Sequence, residues 1–107
     1  GAPPPPARPP AAAPGPRIFS AQDVESLMSL TDCIEVTKEA LVALSAGRAT
    51  MPVRQVMKLP ITQFGLLSNM PAYLDGLCST KTITVFPGNS GTHLSSHQGC
   101  VLLFSAE

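Results

Sequence analysis

The sequence predicts an α+β fold: two N-terminal helices followed by an antiparallel or mixed sheet of about four strands. Two observations carry this. Between Ser20 and Gly47 apolar residues recur at helical spacing behind capping residues, and from Met51 onward the period shifts to the alternation of strands. With 107 residues, the chain has room for one small domain.

Ser20 is placed to cap a first helix, with Asp23 close to the capping-box position, and Phe19 and Val24 have hydrophobic-staple spacing. Val24, Leu27 and Met28 share a face. Thr31 is the expected cap of a second helix, with Asp32 and Glu35 in its first turn, where the helix dipole favours acids. Cys33, Thr37, Ala40, Leu41 and Leu44 form its stripe, and Gly47 suits its C-terminal end. The expected strands are 53–59, closed by Pro60; 64–70, paired with the first through a loop holding Thr62 and Gln63; 80–86, rich in β-branched residues; and 99–104, apolar enough to predict a central place in the sheet. A Gly-, Ser- and Asn-rich loop spans 87–96.

Residues 1–17 hold 8 of the 12 prolines and no acid. They cannot bury enough apolar surface to offset ordering entropy and read as a disordered leader. The PxxP spacing in PPPPARPP would suit an SH3-type groove, although a solvated leader explains it more simply. Residues 18–107 carry 5 basic and 7 acidic side chains, a formal charge of −2. That balance argues against an electrostatic nucleic-acid binder and against a polybasic membrane anchor. No apolar run approaches the ~20 residues of a membrane-spanning helix, and no secretory h-region is present. The expected location is cytoplasmic; the acid-free, Ala- and Arg-containing leader leaves organelle targeting open. Three cysteines (Cys33, Cys78 and Cys100) without a CxxC argue against a disulfide framework or structural zinc. The first residue is Gly rather than Met and the chain stops just after an apolar run, so both ends are expected to be cut.

Two cations stand out. Arg54 shares a strand face with Val56, and Lys81 shares one with Ile83 and Val85. A cation among inward-facing apolar residues needs an anionic partner. Each could instead sit on an edge strand or pair with an acid. Two of them on separate strands point to a cleft for a carboxylate or phosphate: Arg54 offers a bidentate fork, and Lys81 a compact charge suited to binding or proton transfer. His93 and His97 are four apart, as in a helical metal pair, but lie in a loop-like stretch with no glutamate between them, so no metal site is expected. Gly88 and Gly91 follow a strand without completing GxGxxG, so the dinucleotide fingerprint is absent.

MPVR at 51–54, MPAYL at 70–74, TKTITVFPGN at 80–89 and SSHQGCVLLF at 95–104 together resemble the ornithine cyclodeaminase/mu-crystallin family, as does FSAQDVESL at 19–27. The resemblance covers roughly residues 18–107. It implies the N-terminal substrate-binding and dimerisation part of an oxidoreductase that uses NAD or NADP and acts on a small α-amino or α-imino acid, usually as a homodimer. Members include ornithine cyclodeaminases, ketimine and pyrroline-carboxylate reductases, and alanine dehydrogenases. Arg54 matches the family arginine that binds the substrate carboxylate, and Lys81 the lysine at the reacting centre. Ser96 and His97 match positions that touch the nicotinamide nucleotide.

The family chain continues into a further arginine, a Rossmann domain with the glycine-rich nucleotide site, and a catalytic aspartate, none of which occurs here. The expectation is therefore a partial domain that does not transfer hydride by itself. A non-catalytic relative, binding a ligand or a dimer partner, is the alternative.

Overall fold

The computed structural model describes residues 1–5 and 15–106. Most of the PxxP string lies outside the described residues. In chain order the elements are α1 (Ala21–Leu27), α2 (Leu30–Ser45), β1 (Gln55–Lys58), β2 (Leu66–Leu74), β3 (Leu77–Val85), a 3-10 turn (Pro87–Asn89) and β4 (His97–Ser105). The four strands form one antiparallel sheet in the order β1-β2-β3-β4. The α+β expectation holds, and the choice between antiparallel and mixed resolves to a plain meander. Backbone contacts divide the chain into residues 1–33 and 34–107.

In the first unit, α1 opens with a full capping box. Ser20 N–H donates to Asp23 Oδ2 at 2.8 Å, and Asp23 N–H donates to Ser20 Oγ at 3.1 Å. The cap of α2 is Ser29, not Thr31: Asp32 N–H donates to Ser29 Oγ at 3.1 Å and Ser29 N–H to Asp32 Oδ2 at 3.4 Å. The same S-x-x-D spacing is used twice, and it displaces Glu35 from the first turn.

In the second unit, α2 ends in a Schellman motif, with Arg48 N–H on the Ala43 carbonyl at 2.9 Å and Gly47 N–H on the Leu44 carbonyl at 3.1 Å. The strands depart from their expected bounds. β1 starts at Gln55, one residue after Arg54. β2 runs on through Pro71 to Leu74. Pro71 is tolerated because its missing donor falls between the Gln55–Asn69 pair and the isolated Thr50–Tyr73 bridge, where no ladder bond is lost. β2 and β3 join through a two-residue loop, with Asp75 at φ 48° and Gly76 at φ 82°. That geometry matches the right-handed twist of the flanking strands.

The apolar strand at the C-terminal end is not central. Among the described residues β4 pairs with β3 alone and forms an edge, and every one of its residues is exposed. Val101 (62%), Leu103 (65%) and Phe104 (56%) present apolar surface on both of its faces. Apolarity signals a need for cover; it does not say whether the cover comes from a neighbouring strand within these residues.

Alternation and register define two sheet faces. Val56, Ser68, Met70, Ala72, Ser79, Lys81, Ile83, Gly99, Val101 and Leu103 share one; Asn69, Thr80, Thr82, Cys100 and Phe104 share the other. At the hairpin end of the first face, Ala40, Leu41 and Leu44 of α2 line an apolar groove of about 390 Å³ with Leu74, Leu77 and Leu103. Of the expected α2 stripe, those three residues line the groove, while the buried helix position is Ala43 at 2% exposure.

Candidate functional site

Lys81 sits on β3, an interior strand, opposite Met70 of β2 and Val101 of β4. Neither the edge-strand nor the acid-paired explanation applies to it: β1–β4 contain no Asp or Glu, and the ion pair found among the described residues is Arg48–Asp75 at 3.9 Å. Lys81 is exposed rather than buried, so no desolvation penalty has to be offset. With Ile83, His97, Gly99 and Val101 it lines a shallow cavity of about 250 Å³.

Arg54 immediately precedes the β1–β2 ladder, whose first pair is Gln55–Asn69. Two residues on from Arg54 lies Val56, on the Lys81 face. The strands that carry the two cations flank β2, two strand spacings or about 10 Å apart. Two long cationic side chains rooted at that separation can reach one small anion. Arg54 is exposed and is not part of the cavity wall that Lys81 and His97 share.

Ser96 and His97 form the entry to β4. Ser96 Oγ lies 3.1 Å from His97 Nδ1, a contact that orients the imidazole. The segment is tied down from both sides. Phe86 N–H donates to the Ser96 carbonyl at 2.7 Å, and Ser95 Oγ donates to the His97 carbonyl at 2.7 Å. Asn89 Nδ2 and Gln98 Nε2 both donate to the Ser95 carbonyl, at 3.1 and 3.2 Å. The loop read as a Gly/Asn/Ser turn thus serves to fix Ser96 and His97. His93 is exposed in that loop, and no cluster of three or more potential metal ligands occurs among the described residues.

Sequence reasoning singled out Arg54, Lys81, Ser96 and His97 but passed over the residues between them. Met70 is the register partner of Lys81 on β2, and Gly99 is the cavity-wall position where β4 lies too close to β3 for a side chain. Both could have been found by extending the period-two register through the Asp-Gly turn. The three cysteines are free, and no helix among the described residues is long and apolar enough to cross a membrane.

Comparisons with known proteins agree with this architecture. The family model for the ornithine cyclodeaminase/mu-crystallin family matches residues 16–107. An alanine dehydrogenase of Archaeoglobus fulgidus is 30% identical over 90 residues, covering 84% of this chain and 27% of its own length. The ketimine reductase mu-crystallin of Mus musculus is 36% identical over 96 residues, covering 83% and 30%. Among solved structures, an archaeal alanine dehydrogenase dimer with bound NAD superposes with a TM-score of 0.71 at 29% identity, over 79% of this chain and 26% of that one. The chain therefore spans less than a third of the length of these relatives.

Proposed function

The chain belongs to the ornithine cyclodeaminase/mu-crystallin family, and from that premise we propose that it forms the substrate-side segment of an NAD(P)-dependent oxidoreductase of small α-amino or α-imino acids. Arg54 holds the acid by its carboxylate through a two-pronged, charge-assisted hydrogen bond. Lys81 either polarises the reacting group or gives it a proton. Ser96 and His97 contact the nicotinamide end of the nucleotide. What supports the reading is that Arg54, one residue before β1, and Lys81, on β3, belong to the two strands that flank β2, with His97 lining the cavity that Lys81 lines.

When bound, NAD or NADP supplies or accepts the hydride. The described residues suit its nicotinamide end only. They offer a hydroxyl and an oriented imidazole, but the glycine loop after β3 leads into a strand, with no helix N-terminus to take a pyrophosphate. The rest of the nucleotide site would lie on other residues.

Pyruvate is the probe for the carboxylate role. Arg54→Ala should weaken its binding about tenfold or more, the worth of a charge-assisted hydrogen bond. An affinity unchanged from the native chain removes Arg54 from the site. A second reading, a ligand-binding or dimer-forming module without turnover, is favoured by the exposed apolar edge at β4. In a longer chain that carries the nucleotide site as well, catalysed oxidation of NADH in the presence of a cyclic ketimine, or of pyruvate with ammonia, decides for the enzyme.

A further inference from the structure

We infer that Asn69 is a positioning residue for Lys81, acting from the opposite face of the sheet. The inference rests on the proposed role of Lys81 in holding the acid.

Lys81 is flanked in sequence by Thr80 and Thr82, whose side chains lie on the other face. Both hydroxyls donate to a single acceptor, Asn69 Oδ1 on β2, that of Thr82 at 3.2 Å. All three groups are partly buried. Asn69 is the register partner of Thr82, so the contact from Thr80 reaches across a diagonal. One carbonyl oxygen thereby gathers the residues immediately before and after Lys81 and sets the local pleat of β3. Asn69 also immediately precedes Met70, which faces Lys81 across the ladder. The clamp thus spans the base of both members of the Met70–Lys81 pair.

A lysine on a long stem loses side-chain entropy whenever its ammonium is held at one point. Fixing its root before the ligand arrives reduces the disorder left to remove. β propensity alone does not call for this arrangement. Valine would serve the strand equally well at 80 and 82, but it carries no hydroxyl for Asn69 to accept.

The test uses the 107-residue chain with its lysines reductively methylated with ¹³C-formaldehyde, which keeps their charge. Lys38, Lys58, Lys81 and the Gly1 α-amine then report separately by NMR, and Lys81→Arg identifies the Lys81 signal. Titration with sodium pyruvate gives an affinity from the shift of the Lys81 methyl resonance. Asn69→Ala should weaken that affinity about tenfold, within the range expected of coupling through a connected network. Asn69→Asp keeps an acceptor for both hydroxyls and should stay within about threefold of native. Thr84→Val removes a hydroxyl on the same strand and face that donates to the Gln98 carbonyl at 3.4 Å, and should change nothing.

Native affinity in Asn69→Ala overturns the inference, and so does an equal loss in Asn69→Ala and Thr84→Val. If Asn69→Ala does not fold, Thr82→Val takes its place with an expected loss of about threefold, and no loss there overturns the inference. If pyruvate leaves the native Lys81 signal unmoved, the functional reading fails first and the inference falls with it.

Discussion

Gly99 on β4 stands opposite Ile83 on β3 with no room for a side chain. A Cβ at Gly99 would lie 2.3 Å from the Thr82 carbonyl oxygen and 2.7 Å from Ile83 Cγ2. The first of these neighbours is backbone and cannot rotate away, so any larger residue must push β4 off β3. Gly99→Ala should therefore destabilise the sheet by about 1–3 kcal/mol, the usual cost of overpacking. The loss should appear as a lower denaturation midpoint and as faster amide exchange along β4. Native stability would mean that the two strands are free to separate at this point.

The Asp75-Gly76 turn makes a second, sharper test. Gly76 has φ 82°, and its N–H donates to the Tyr73 hydroxyl at 3.2 Å. A side chain in the left-handed region costs roughly 1–2 kcal/mol, so Gly76→Ala should lower stability by about that amount in chemical denaturation. Asp75, at φ 48°, is different, because asparagine tolerates that region as well as aspartate does. Asp75→Asn also loses the exposed ion pair to Arg48, which contributes little. It should stay within about 0.5 kcal/mol of native.

These turns and edges mark where sequence legibility ended. The helix–helix–sheet order was readable because periodicity is a local property. The first capping box was readable because Ser20 and Asp23 are its only candidates. At Ser29-Leu30-Thr31-Asp32 two hydroxyl residues competed, and the S-x-x-D spacing that chose Ser20 should also have chosen Ser29. The place of β4 was unreadable in principle. The sequence of residues 99–104 records burial on both faces, but the cover is not found among the described residues. At the candidate site, Arg54 and Lys81 stood out as cations among apolar neighbours. The Asn69 clamp did not, since three ordinary polar residues become a unit only once the register is known.

Removing the hydroxyl at Ser29 should cost α2 about 1 kcal/mol, as for other caps replaced by alanine. Asp32 N–H would lose its partner at 3.1 Å, and the reciprocal bond from Ser29 N–H would lose its geometry. Thr31→Ala lies one turn position inside and touches neither bond, so it should be near neutral. Parallel denaturation of the two variants separates the two caps; a larger loss at Thr31 would reverse the assignment.

The edge formed by β4 leads to the broadest expectation: the 107-residue chain self-associates. Within β4, residues 99–104 pair with β3 alone among the described strands, so one edge of that stretch is open, and it holds no proline and no charged side chain. Natural edges are blunted by lysine, proline or bulges, and this one is not. Its apolar residues are exposed on both faces, so a second copy pairing along it would bury Val101 and Leu103 on one side and Leu102 and Phe104 on the other. Sedimentation across a range of concentrations should show mass rising above that of one chain. Leu102→Lys places a charge in the middle of that edge, on the face away from Lys81, and should return the chain to monomer without altering pyruvate binding. A native chain that sediments as a monodisperse monomer and melts cooperatively would show that exposed β4 needs no partner.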